Sequence, residues 1–186
     1  MALKLLGNGL ALSGIEAIVI TKGTNSFLIK TGSHAAINVV TSAGQEQELR
    51  KKDRIFAQNI TQDIPKGYDL QLTDLLMNPE VMAIVDGGVA VTDGQGKFQS
   101  YTAPVMGEPI VRDPFKVDVY CSDLDTDGET KGYLKVTLDK CKGTPCSWDI
   151  QDGQFYSPQY TIRSRPAFGT TPISVEAVDV LPTVTP

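Results

Sequence analysis

Pro114-Phe-Lys-Val-Asp-Val-Tyr-Cys121 alternates apolar and polar residues without a break, and Lys131-Gly-Tyr-Leu-Lys-Val-Thr-Leu-Asp139 does so again a short way on. Successive side chains of a strand point to opposite faces, so Phe115, Val117, Val119 and Cys121 are expected on one face. Lys116, Asp118 and Tyr120 are expected on the other, and Leu134, Val136 and Leu138 face inward from the second run. The tight acidic connection over residues 122–128 makes the pair a hairpin.

Outward from this hairpin the same reading repeats. Residues 14–21, 25–30 and 35–41 are β-branched or apolar runs separated by Lys22-Gly23 and Thr31-Gly32, the pattern of a meander. Residues 67–73, 98–102, 154–163 and 173–181 supply further strands. One helix is expected, over about 79–86. Asn78 is a good N-cap, Pro79 suits the first helical position, and Glu80 complements the positive end of the dipole. Val81, Met82, Ile84 and Val85 form its buried side, and Gly87-Gly88 ends it.

The segment between the meander and residue 67 is polar. Gln45-Glu-Gln-Glu-Leu-Arg-Lys-Lys-Asp-Arg54 has helical propensity, but its apolar positions are too sparse for a buried stripe. A long loop is expected over about 42–54, with residues 54–61 leaving it as a strand. Long loops in compact domains are usually functional, so this one is the first candidate for contact with a partner. The expected fold is mainly β, a sandwich or barrel with one short flanking helix. It forms a single domain over 1–186, with an N-terminal arm (1–13) and a C-terminal arm (182–186).

Composition narrows the function. The 186 residues are 41% hydrophobic and 21% charged, with 17 glycines and 11 prolines, which suits a globular chain with many turns. A net charge of −5 does not suit tight binding to nucleic acid, which depends on neutralising phosphates. No stretch approaches the roughly 20 apolar residues that span a bilayer, so no membrane partner is expected. Three cysteines (Cys121, Cys141 and Cys146) fit free thiols in a reducing cytoplasm, with a Cys141–Cys146 bridge as the other arrangement.

Catalytic chemistry has no recognisable carrier, so no catalytic residue and no cofactor is assigned. The single histidine, His34, sits in a Gly-Ser-His turn. Asp123-Leu-Asp-Thr-Asp-Gly128 matches the first half of a calcium loop, making Asp123, Asp125 and Asp127 a weak metal candidate. The match then fails, because Leu134 stands where the bidentate glutamate belongs, and a solvated Asp/Gly turn accounts for the same residues. Gly94-Gln-Gly96 is a turn without the rest of a phosphate fingerprint. Arg163-Ser-Arg165 is either a small anion site or a plain strand-edge charge pair. Phe155, Tyr156 and Tyr160 read as core on one side and interface on the other.

The order of several short motifs adds a resemblance. Thr61-Gln-Asp-Ile-Pro-Lys-Gly-Tyr-Asp-Leu70, Asn78-Pro-Glu-Val81 and Asp86-Gly-Gly88 resemble tail tube (major tail) proteins of phages infecting Gram-positive bacteria. So do Lys131-Gly-Tyr-Leu-Lys135, Lys142-Gly-Thr-Pro145 and Gly153-Gln-Phe-Tyr-Ser-Pro-Gln-Tyr-Thr-Ile-Arg-Ser-Arg-Pro166. The resemblance covers roughly residues 45–175, and its motifs are turns, a cap and strand ends. It implies a β-sandwich or barrel subunit that joins others into hexameric rings. The rings stack into a hollow tube through which DNA passes without specific binding.

The partners so implied are other copies of the chain and further tail proteins (tape measure, tail terminator, tail tip). The place is the virion tail, assembled in the bacterial host cytoplasm. By the same analogy Arg50, Lys51, Lys52 and Arg54 are candidates for contact between subunits or rings, meeting acidic residues such as Asp123, Asp125 and Glu129. Lys116, Asp118, Lys135 and Asp139 are candidates to face the lumen, with an ordinary solvated strand face as the other reading. Two alternatives stand beside this one. One is a monomeric β-sandwich binding module; the other is a tube or terminator component of another contractile injection system.

Overall fold

A computed structural model of the chain describes residues 9–95 and 97–183. Strand β1 (Ala11–Lys22) turns back as β2 (Asn25–Ile29), and only Lys30 and Thr31 precede β3 (Gly32–Ser42). Two strands follow, β4 (Glu46–Lys51) and β5 (Arg54–Ile60), then β6 (Ile64–Asp74). Helix α1 (Pro79–Asp86) leads to β7 (Val89–Thr92) and β8 (Phe98–Thr102). The second half supplies β9 (Phe115–Leu124), β10 (Thr130–Gly143), β11 (Gln159–Ser164) and β12 (Ile173–Val178). The fold is mainly β with one short helix, as expected.

Eight strands form one antiparallel sheet in the order β2-β1-β9-β10-β11-β6-β3, with β12 on the first part of β10. β2 and β3 stand at opposite ends of that order yet are almost continuous in the chain. The sheet therefore curls until its ends meet. A Cβ on Gly32 of β3 would lie 2.6 Å from Cδ1 of Ile18 in β1, which measures how closely they approach. β10 makes the corner. It pairs with β12 over Tyr133–Leu138 and with β11 over Cys141–Gly143, and its register with β9 breaks between Leu138 and Cys141.

The curl encloses one apolar core. Ile18 and Ile20, Val117 and Val119, and Leu138 pack with Leu70, Leu72, Tyr160 and Ile162, all buried. Burying a side chain of this size stabilises the fold by about 1.5–3 kcal/mol, so these few positions dominate. Of the inward set predicted for β9 and β10, Phe115, Val117, Val119 and Leu138 are buried here, Cys121 and Val136 pack against them partly buried, and Leu134 lies outside the cluster.

Helix α1 is placed by its ends. Asn78 Oδ1 accepts from Glu80 N (3.0 Å) and Val81 N (3.3 Å), and Gly87 closes the helix at φ 87°. Val81, Met82 and Val85 then cover one part of the core. Asn78→Ala removes the cap and is expected to cost about 1 kcal/mol. Thermal unfolding should show a loss of about 2–4 °C.

Four sequence expectations are corrected. Residues 42–54 are not a loop. β4 runs through the middle of that span and pairs with β5 in a sheet of its own. Ala11, Leu12 and Ser13, expected in the N-terminal arm, instead pair with Leu124, Asp123 and Ser122. The expected strand over 154–163 begins only at Gln159. Pro158, without an N–H, precedes it, and the Trp148 and Tyr156 rings stack at 5.4 Å in the segment before. β12 ends at Val178 rather than 181. Residues 1–8, 184–186 and Gly96 lie outside the described residues, and with them most of both expected arms.

Candidate assembly surface

The segment from β3 to β6 is one long bent hairpin whose far half, β4–β5, leaves the main sheet. At the bend, Asp63 Oδ1 accepts from Gly44 N (2.6 Å), Thr61 Oγ1 accepts from Gln45 N (2.7 Å), and Gln45 O accepts from Thr61 N (2.9 Å). A Cβ on Gly44 would stand 1.8 Å from Thr61 O, so the two chains cross here only because residue 44 is glycine. Beyond the bend every residue of β4 and β5 is exposed.

That exposure includes large apolar side chains. Leu49 is 66% exposed, Ile55 55%, Phe56 63% and Ile60 59%, with Ile64 at the root of the arm at 64%. A register shift between Leu49 and Arg50 leaves Phe56 without a directly paired residue on β4. The tip carries the predicted contact residues together. Lys52 takes a left-handed turn conformation (φ 51°), Arg50 Nε donates to Lys52 O (3.0 Å), and Arg50, Lys51, Lys52 and Arg54 are all exposed. A two-stranded hairpin is marginal alone in water. An arm that exposes this much apolar side chain is the kind of surface that a partner covers.

A second hairpin, β7–β8, is likewise separate from the main sheet and exposes Val89, Val91 and Phe98. Asp86 at the end of α1 ties it down. The carboxylate accepts from Tyr101 Oη and from Cys146 N (3.3 Å), and its backbone O accepts from Arg112 Nε (2.9 Å). Burial and the adjacent Asp86 carboxylate raise the Tyr101 phenol well above its usual range, so it remains a donor. The sequence reading missed this cluster, which joins four separate segments.

The residues predicted to line a lumen divide. Lys116, Asp118 and Lys135 share the outward face of β9–β10, but Asp118 is only 4% exposed. It accepts from Thr137 Oγ1 (2.6 Å) and pairs with Lys116 Nζ (3.1 Å), so it is a buried, satisfied carboxylate and not a group presented to a channel. Lys135 Nζ pairs with Glu176 (2.6 Å), and that hydrogen bond raises its pKa. This face is therefore charge-neutralised by its own pairs. Asp139 lies within the break in register, next to Lys140 at φ 51°, apart from the other three.

The metal candidate also comes apart. Asp123 accepts from Ala11 N (2.9 Å) and pairs with Lys131 (3.3 Å). Asp125 Oδ1 accepts from Asp127 N (2.9 Å) and Glu129 N (3.0 Å), leaving Asp127 with no part in a shared site. Among the described residues no cluster of three His, Cys, Asp or Glu side chains is placed to hold a metal ion. The three cysteines are free thiols. Burial, with Asp139 nearby, pushes Cys141 up to about 12, and burial with Asp86 nearby pushes Cys146 up to about 11.

No protein-family model matches the chain, and no curated protein sequence matches it. Solved structures that align with it over nearly the full length include two parts of one particle. One belongs to the tube-terminating cap of the anti-feeding prophage, with a TM-score of 0.46 and 9% identity over 94% of this chain and 97% of that one. The other belongs to the baseplate of the same particle, with a TM-score of 0.41 and 12% identity over 96% of this chain and 98% of that one. At these values the likeness does not bear on function. Among the described residues no helix is long and apolar enough to cross a membrane.

Proposed function

We propose that this chain is a structural, self-assembling subunit of a phage tail tube or of a related tail-like injection particle, working by association rather than catalysis. The observation that carries the reading is the β4–β5 arm, whose apolar residues are exposed along its whole length. Docked in a groove or along a sheet edge of a neighbour, Leu49, Ile55, Phe56 and Ile60 would be buried and the arm fixed. The motif resemblance adds the form of assembly: head-to-tail rings, six-fold in that family, stacked as a hollow tube that lets DNA pass. A head-to-tail contact that closes gives a ring, and one that does not close gives a filament.

Within this reading the chain is either the repeating tube subunit or a component that ends the tube. The two differ in growth. A repeating subunit forms rods that lengthen with concentration, whereas a terminator stops at single rings. Electron microscopy of the purified protein over a concentration series, with mass from light scattering, separates them. A monomer at every concentration would sink both and favour a monomeric binding module.

A further inference from the structure

We propose that a basic groove at one end of the β9–β10 hairpin receives the acidic turn at the other end of the same hairpin in a second copy of the chain. The proposal rests on the self-assembly reading and names a contact for it other than the arm.

The groove encloses about 740 Å³, and its charged lining is wholly cationic: Arg112, Lys140, Lys142, Arg163 and Arg165. Pro114, Pro145 and Pro166 give it apolar walls. Among the described residues only Arg165 of these is in an ion pair, with Asp69 at 2.6 Å, and Asp139 stands beside Lys140 in the neighbouring hollow. Among the described residues Lys140, Lys142 and Arg163 form no ion pair. Lys142 and Arg163 are also direct cross-strand partners. Like charges directly opposite on a sheet are destabilising, and carboxylates from outside would relieve that. Arg112 adds a buried Nη2 with no hydrogen-bond partner. This resolves the two readings of Arg163-Ser-Arg165. Arg165 is in a charge pair, and Arg163 is an unpaired cation aligned with another.

The acidic turn has the matching form. Asp125 N donates to Glu129 O (2.9 Å), Gly128 N donates to Asp125 O (3.2 Å), and Gly128 takes φ 81°. With Asp125 spent on the turn itself, Asp127 and Glu129 are exposed carboxylates on a pre-ordered loop. Little ordering entropy is lost when such a loop docks. The turn joins Leu124 to Thr130, while the groove lies by Pro114 and Lys140–Thr144. The ten residues of β9 separate them by about 30 Å. A molecule cannot fill its own groove, so the contact runs between copies.

A charge swap tests this. Lys142→Glu/Arg163→Glu and Asp127→Lys/Glu129→Lys are each expected to weaken self-association about 100-fold, with thermal unfolding of the monomer unchanged. Sedimentation velocity at low and high salt reads the association, and the wild-type protein should lose it as salt rises. Mixing the two variants in equal amounts should restore heterotypic association.

Wild-type protein that assembles while either variant assembles equally well overturns the groove contact alone. So does rescue of Asp127→Lys/Glu129→Lys by Lys51→Glu/Lys52→Glu, which would seat the turn on the arm's tip. Wild-type protein that never associates overturns the groove contact together with the self-assembly reading.

Discussion

Gly143→Ala is expected to destabilise the fold by about 3 kcal/mol, the upper end of what overpacking a close contact costs. The added Cβ would lie 2.1 Å from Val85 O and 2.6 Å from Val85 C, both backbone atoms of α1 that no side-chain rotation can move. Either the helix lifts and draws Val81, Met82 and Val85 off the core, or β10 parts from β11 next to the Gly143–Ile162 pair. Both lose buried apolar contact. For a chain of this size the melting temperature should fall by about 6–12 °C. Thermal unfolding followed by circular dichroism measures it. A fall below about 2 °C would mean that α1 does not sit on the strand in this way.

The second large effect concerns assembly and leaves the fold alone. Leu49→Ser/Ile55→Ser/Phe56→Ser should abolish rings and rods at concentrations where the unaltered protein forms them. The monomer's stability should change little, since surface substitutions away from the core usually stay within about 0.5 kcal/mol each. The asymmetry follows from exposure. These side chains are more than half exposed in the single chain and have little to lose there. In a docked arm each would contribute about half or more of the roughly 1.5–3 kcal/mol that full burial of such a side chain gives. Electron microscopy and a melting curve on the same sample check both halves.

The parts of the fold legible in the sequence are those where burial writes a pattern. β9 and β10 alternate because one face of each packs on the core. α1 shows its cap and its stop because Asn78, Pro79 and Gly87 each satisfy a backbone requirement at that place. β4 left no such trace. Glu46-Gln-Glu-Leu-Arg-Lys51 buries nothing and is rich in helix formers, and it is a strand because β5 pairs with it. Propensity alone favoured the wrong state, as it can wherever packing is silent.

Asp118 shows the reverse limit. Alternation places it correctly on the outward face, but Thr137 of the paired strand β10 and Lys116, two residues back on β9 itself, close over it, and the Thr137 contact shows only once the strand register is known. The groove is assembled from residues 112–114, 140–145 and 163–167, which share no local signature beyond Arg163-Ser-Arg165. The apolar arm was half visible. Its candidacy as a contact came from its length and polarity, while Leu49, Ile55 and Phe56 entered the proposal only once their exposure was known.

The central claim is that the β4–β5 arm is a docking element completed by another subunit. Hydrogen–deuterium exchange over residues 45–61, followed from dilute monomer to assembled particles, tests it most directly. Fast exchange in the monomer is expected, because the arm's backbone hydrogen bonds lie open to solvent. Protection should rise in step with particle formation. An arm already protected in a sample that sediments as monomer, or one that stays unprotected inside assembled particles, would contradict the account.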